Sequence, residues 1–209
     1  MSSDNPTSAD NQQESLSIDE AKRWFLAGFI EGEGSVCISI KKHPTTTSGF
    51  YVDPEFFLYQ HRNRRAVLEM ARELFQTGRI SPKSGNPDVL VYAITSRRAI
   101  VEKVVPFLQR YMVFSARGAD FLRFAKALSL YEHGLHRTPE GLAQIVMLAY
   151  AMNHDGKQRR RPLEEVLDRI LRGHTPDTPQ EVKIWSDLHG DVESQAEEKR
   201  PGPLAPAEE

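Results

Sequence analysis

A single cysteine, Cys37, in a chain of 209 residues leaves no intrachain disulfide to form. That excludes the disulfide-stapled secreted folds and fits a reducing compartment. Long apolar runs are missing too: nothing approaches the ~18 residues of a membrane span. The polar opening Met1-Ser2-Ser3-Asp4 lacks the cationic and then apolar build of a signal peptide. A protein of the bacterial cytoplasm or of an organelle is expected, neither secreted nor membrane-bound. The seven histidines are scattered without ligand spacing. No Walker-type phosphate loop, Ser-His-Asp set or cysteine cluster occurs either, so these chemistries are set aside.

Lys and Arg are scarce at both ends. Residues 1–20 hold five acids and no Lys or Arg, and residues 176–209 hold nine acids against Lys183, Lys199 and Arg200. The formal net charge is only −2, yet residues 21–175 carry 24 basic and 15 acidic side chains, a net of +9. A basic body between acidic ends is the charge distribution of a nucleic-acid binder. An apolar content of 39% gives material for one sizeable core. The expected organisation is a disordered acidic tail over 1–16, one domain over 17–175, and a mostly disordered acidic tail over 176–209.

What is present is concentrated in Trp24-Phe25-Leu26-Ala27-Gly28-Phe29-Ile30-Glu31-Gly32-Glu33-Gly34-Ser35. A helix is expected from Ile18 to Ile30, opened by Ser17 with Glu20 three residues on as a capping box. Its end is unusual. Where cations suit the free carbonyls of a last turn, Glu31 and Glu33 stand instead. A divalent ion such as Mg²⁺ or Ca²⁺ would satisfy both carboxylate and carbonyl oxygens there. Gly28 and Gly32 lie on one helix face, where missing side chains admit a second helix. If that helix belonged to a second copy of the chain, two copies of Glu33 would meet at the symmetry axis.

Leu26-Ala27-Gly28-Phe29-Ile30-Glu31-Gly32-Glu33-Gly34 resembles the signature of the LAGLIDADG homing endonuclease family, with Glu for Asp at both acidic positions. The resemblance covers roughly Asp19 to Arg172. It implies a homodimer joined through Phe25, Gly28, Phe29 and Gly32, with metal held by Glu33 and the carbonyl of Gly32. Mg²⁺ is the implied working ion, Mn²⁺ a substitute, and Ca²⁺ an ion that binds without supporting cleavage.

The rest of the chain has its own periodicities. Ser35 to Lys42 alternates as a half-exposed strand, a turn follows over 43–49, and Phe50 to Gln60 returns as a second strand. Asn63 is placed to cap a helix that Gly78 stops, and a hairpin of Arg79–Lys83 and Asp88–Thr95 comes next. Ser96 caps a third helix through Val105, with Pro106 bending or restarting it. Helices are expected over about 119–133, from Thr138-Pro139-Glu140 to Asn153, and over 162–172. The order αββαββα, an α+β class with C-terminal helices, is also that of the LAGLIDADG fold, in which a four-stranded antiparallel saddle lies in the DNA major groove.

The outward strand positions Ser35, Cys37, Ser39, Lys41, Tyr51, Asp53, Glu55, Ser81 and Lys83 are candidates for reading base edges. Lys157, Arg159, Arg160 and Arg161, in the loop from His154, are candidates for gripping phosphates. By resemblance, Gln60 orders the attacking water and Arg64 stands near the scissile phosphate. The family's lysine after the third helix has no counterpart, since none lies between Lys103 and Lys126. Arg110 or Arg117 would take its place, with Arg117 preferred.

The implied function is metal-dependent double-strand cleavage of a long, pseudo-palindromic DNA site by an intron-encoded protein. The alternatives are a cleavage-deficient relative acting as a splicing maturase on its own intron RNA, or a DNA-binding regulator.

Overall fold

The computed structural model describes residues 17–42, 46, 48–113, 115–152 and 161–172. The expectations placed on both tails and on Lys157, Arg159 and Arg160 lie outside the described residues. The order αββαββα is the one found: α1 (Ile18–Glu33), β1 (Gly34–Lys42), β2 (Phe50–His61), α2 (Ala66–Phe75), β3 (Arg79–Lys83), β4 (Asn86–Ile94) and α3 (Arg97–Ala99). Then follow a π turn (Ile100–Val104), α4 (Val105–Tyr111), α5 (Gly118–Glu132), α6 (Pro139–Ala151) and α7 (Leu163–Leu171). No helix among the described residues is long and apolar enough to cross a membrane.

Ser17 caps α1 as expected, its hydroxyl accepting from the Glu20 N–H at 3.2 Å. Glu20 does not close the box; its carboxylate accepts from the Tyr111 hydroxyl at 2.9 Å, tying α1 to α4. The helix also runs three residues past Ile30, so both acids belong to its last turn and Glu33 is its final residue. Gly34 then caps it by donating to the Ile30 carbonyl and enters β1 with extended φ and ψ. A Cβ at Gly34 would stand 2.5 Å from that carbonyl oxygen, so the passage from helix straight into strand requires glycine.

The four strands form one antiparallel sheet in the order β1-β2-β4-β3. Three prolines lie within strands: Pro82 of edge strand β3 stands opposite Leu90 beside a register shift, and the other two fall outside the central β2–β4 pairing. Pro54 of β2 lies outside the β2–β4 register, which begins at Phe56↔Ile94, and Pro87 lies past its other end at His61↔Val89. β4 starts at Asn86, two residues before the expected Asp88, because Gly85 at φ +77° makes the hairpin turn tight.

Two local expectations are corrected. Asn63 does not cap α2; it lies inside a 3₁₀ turn (Arg62–Arg64), and its N–H donates to the His61 imidazole at 3.3 Å. α2 stops at Phe75 rather than running to Gly78, because Gln76 takes the left-handed conformation at φ 48°. Pro106 does restart the helix, in the first turn of α4, and the π turn before it absorbs the missing N–H.

All helices pack on one face of the sheet. Val36, Ile38, Val52, Phe56, Leu58 and Tyr92 point from the strands into a core completed by Leu26, Ile30, Leu68, Phe107, Phe124 and Val146. Each such side chain removed from water contributes on the order of 1.5–3 kcal/mol before the entropy of ordering is deducted. Among the described residues, no helix covers the opposite face.

Away from the sheet, the His136 ring stacks on Tyr131 at 3.6 Å between centroids and 7° between planes, with the Arg97 guanidinium 4.3 Å from the Tyr131 centroid. Burial, and then the Arg137 and Arg97 charges against the carbonyl of Tyr131 and Glu132, hold the His136 imidazole below its ordinary range. The fold therefore binds this proton less well than the unfolded chain does, so stability from this group is present above the unfolded pKa of about 6.5 and lost as pH falls through the folded value. His136→Phe, which stacks but cannot charge, is expected to flatten the fall in melting temperature between about pH 7 and pH 5 relative to the parent. An unchanged slope would remove His136 from the acid response.

Candidate helix-end site and outward sheet face

The last turn of α1 presents two carboxylates to different neighbours. Glu31, half-buried, turns into the protein: its carboxylate accepts from the Ser115 hydroxyl and, at 3.2 Å, from the Ala116 N–H. Glu33 is exposed, as is Gly32 beside it. The carbonyls of the last turn have no intrahelical donor except that of Ile30, which Gly34 takes. A cationic side chain is also brought to this end. Arg117, from the turn before α5, donates to the Gly34 carbonyl, one residue from Glu33, and lies 5.6 Å from the Phe121 ring centroid. Arg110, the alternative, instead faces Glu20 at 3.7 Å, so Arg117 is the arginine brought to the helix end.

Gln60 and Arg64 reach the same end of the sheet by register. Gly34 pairs with Leu58, so Gln60, two residues further along β2, is level with the helix terminus. Its side-chain oxygen accepts from the His61 N–H at 2.7 Å. Arg64 is exposed in the 3₁₀ turn that follows, and its side chain has no hydrogen bond or ion pair among the described residues.

One face of α1 is left open. Phe25 is 61% and Ile18 77% exposed, and a Cβ at Gly28 or Gly32 would meet nothing within 4 Å. Phe25, Gly28 and Gly32, with half-buried Phe29 at their side, form a stripe that no described part of the chain covers. Among the described residues no three of His, Cys, Asp and Glu converge as metal ligands, so one chain brings a single free carboxylate to this end.

Ser35, Cys37, Ser39, Lys41, Tyr51, Asp53 and Glu55 all lie on the outward face of β1 and β2, as the alternation implied. Register decides how they combine. Cys37 stands opposite Glu55 and Ser39 opposite Asp53. Glu55 is held by the Ser39 hydroxyl at 2.5 Å, the Cys37 thiol at 3.7 Å and Lys41 at 3.5 Å. Lys41 also bonds Asp53 at 2.8 Å, the contact that most raises its ammonium above the usual lysine value, and lies 5.8 Å from the Tyr51 centroid. The two acids outnumber the one cation here, so this patch is a set of directional donors and acceptors rather than an attractor of phosphate.

Nearer the helix end the outward face turns apolar. Phe57 aligns with Ala93 and Tyr59 with Val91, and burial pushes the Tyr59 phenol above its ordinary value. Ser81 pairs with Val91, and the Lys83 ammonium lies 5.2 Å from the Tyr59 centroid.

Two cations were missed in the sequence. Arg79, opposite Ala93 at the start of edge strand β3, is exposed on this face with no side-chain partner among the described residues. It stands at the start of the expected strand but is absent from the outward set that holds Ser81 and Lys83. Arg169 of α7 lies 5.6 Å from the Phe50 centroid, with Arg161 at 6.0 Å from the same ring. Gly49, at φ +71°, makes room for it, since a Cβ there would stand 2.9 Å from the Arg169 guanidinium. Arg161 is the only member of the expected basic loop set that falls within the described residues.

The LAGLIDADG endonuclease family model matches residues 26–128, from the first motif leucine through most of α5. The DNA endonuclease I-CeuI of Chlamydomonas moewusii is 39% identical over 139 residues, which is 65% of this chain and 64% of that protein's length. The solved structure of I-CeuI complexed with DNA superposes with a TM-score of 0.68 at 35% identity, covering 75% of this chain and 79% of that one. The archaeal intron-encoded homing endonuclease I-Vdi141I, also complexed with DNA, gives 0.68 at 32% identity, covering 74% of this chain and 97% of that one.

Proposed function

Since the chain belongs to the LAGLIDADG endonuclease family, we propose that it is a homing endonuclease. Two copies join through the open face of α1 and cut both strands of a long, pseudo-palindromic DNA site. The observation that carries this reading is the helix end: an exposed Glu33, free last-turn carbonyls and the Arg117 guanidinium, next to a stripe of small and aromatic residues that needs a partner. The structures of I-CeuI and I-Vdi141I are DNA complexes, which supports the same substrate class here.

Glu33 and the Gly32 carbonyl are hard oxygen donors suited to a divalent ion, and a two-fold dimer would bring two such sets together. Mg²⁺ held there would polarise the scissile phosphate and acidify a water. The protein supplies the rest. Gln60 would orient the attacking water, and Arg64 and Arg117 would hold the phosphate oxygens. Because a guanidinium keeps its proton in proteins, Arg117 stabilises charge on the phosphorus centre and does not protonate the leaving oxygen.

The outward face would lie in the major groove. Nine residues of β1 span roughly 30 Å, about nine base pairs at 3.4 Å each, which makes the two-fold site long. Asp53 and Glu55 suit cytosine amino groups, the apolar strip of Tyr59 and Val91 suits thymine methyls, and Arg79 suits guanine. Arg79→Ala is expected to lower affinity about tenfold for duplexes with guanine at one position per half-site and to leave other bases there nearly unaffected. A uniform loss across all four bases would make Arg79 a phosphate contact instead.

The reading itself is tested by incubating the purified full chain with Mg²⁺ and a library of randomised duplexes and sequencing the cut ends. A two-fold symmetric consensus is the expected result. Specific binding with no cuts in Mg²⁺ or Mn²⁺ would instead favour a regulator or a maturase.

A further inference from the structure

The two glutamates of the helix end are chemically alike and adjacent in the motif, yet their surroundings differ. Glu31 spends both carboxylate oxygens on one short segment, the turn between α4 and α5, accepting from the Ser115 hydroxyl and the Ala116 N–H. The Ser115 hydroxyl oxygen in turn accepts from the Arg117 N–H at 3.0 Å, so the bond to Glu31 fixes the backbone that carries Arg117. The same turn reaches back with the Arg117 guanidinium to the Gly34 carbonyl. α1 and the turn therefore hold each other at two points, one on either side of Glu33.

We infer that Glu31 is a positioning residue, a latch that delivers the Arg117 guanidinium to the reaction centre, and that it is not a metal ligand. A carboxylate already committed to two donors has little left for a cation, whereas Glu33, exposed one turn-edge away, has everything. The inference rests on the endonuclease reading and adds a role that this reading does not require.

Glutamine separates the two roles. At position 31 its amide oxygen can still accept from the Ala116 N–H and its amino group can donate to the Ser115 oxygen, so a latch survives. A metal-binding carboxylate would not. With the duplex recovered from the selection, Glu31→Ala is expected to lower the single-turnover cleavage rate about 100-fold, the scale of a group displaced by an ångström, with DNA affinity within about twofold of the parent. Glu31→Gln should recover most of that rate, and Ser115→Ala should fall between them. Titration with Mg²⁺ should show the same concentration dependence in all three. Amide exchange gives a readout that needs no catalysis: the Ala116 N–H should lose protection in Glu31→Ala and keep it in Glu31→Gln.

Three results would overturn the proposal: Glu31→Gln as inactive as Glu33→Gln, Glu31→Ala cutting at the parental rate, or Ala116 exchange indifferent to both. If the parent protein cuts no duplex, the endonuclease reading fails and the exchange experiment alone decides the latch.

Discussion

Glu33→Gln is expected to reduce cleavage by about 10³-fold or more while leaving DNA binding intact or slightly tighter. The magnitude follows from what the carboxylate is asked to hold: a divalent ion at the scissile phosphate supplies several kcal/mol of transition-state stabilisation, and each 1.4 kcal/mol is a factor of ten. The sign on binding follows from charge. Glu33 is exposed, and on the proposed reading it would stand beside a backbone phosphate, so without metal it would repel the DNA, and a neutral amide of the same shape would remove that repulsion. The fold should not notice, because no hydrogen bond or ion pair links the Glu33 side chain to the described residues. Single-turnover cleavage in Mg²⁺ and affinity in metal-free buffer, measured on one duplex, separate the two effects. Cleavage at the parental rate would take Glu33 out of the reaction, and a parallel loss of binding would make it a contact residue instead. Glu33→Asp is the matched control: it shortens the reach by one methylene and keeps the ligand chemistry, so it should retain cutting.

How much of this was legible in the chain depended on the range of the interaction. Ser17, Ser96 and Thr138 were readable as caps, and each accepts from an N–H three residues on, because capping is settled within one turn. The alternation of β1 gave the outward face correctly for the same reason: period two is local. The end of α1 was misjudged because Gly-Glu-Gly reads as a break, whereas the last turn is kept by a tertiary contact, Glu31 to residues 115 and 116, some 84 positions away. Asn63 looked like a cap until His61 supplied the acceptor first. The pairing of Lys41 with Asp53 and Glu55 needs the β1–β2 register, and no local pattern fixes a register across a connection of seven residues, 43–49. Arg79 was legible but passed over: the period of two that puts Ser81 and Lys83 outward also puts Arg79 there, at the first residue of the strand just after Gly78. Arg117 could be proposed from the motif's missing lysine, but only its bond to the Gly34 carbonyl distinguishes it from Arg110, which is held by Glu20.

Gly28→Leu is expected to raise the stability of the isolated subunit and abolish cutting, two effects of opposite sign from one substitution. In a helix interior glycine is about 0.8–1 kcal/mol worse than alanine, and leucine is nearly as good as alanine, so the exchange strengthens α1. Nothing within the subunit opposes it, since a Cβ at Gly28 would meet no atom within 4 Å. Across a two-fold axis the situation reverses. Two helices brought together along the Phe25, Gly28, Gly32 stripe approach closely only because the glycines carry no side chain, and a leucine from each subunit would intrude on the same space. Overpacking typically costs about 1–3 kcal/mol per intrusion, so two of them would weaken association by roughly 30-fold to 10⁴-fold. Separated subunits would each keep one Glu33 and one outward sheet, and so bind a half-site weakly while lacking the second carboxylate. The measurement is sedimentation of the full chain with and without duplex, set beside thermal melting and cleavage of the same sample. Monomers with a raised melting temperature and no cutting are the expected set. A variant that is more stable, dimeric and fully active would mean that the open face of α1 is covered by something other than its twin.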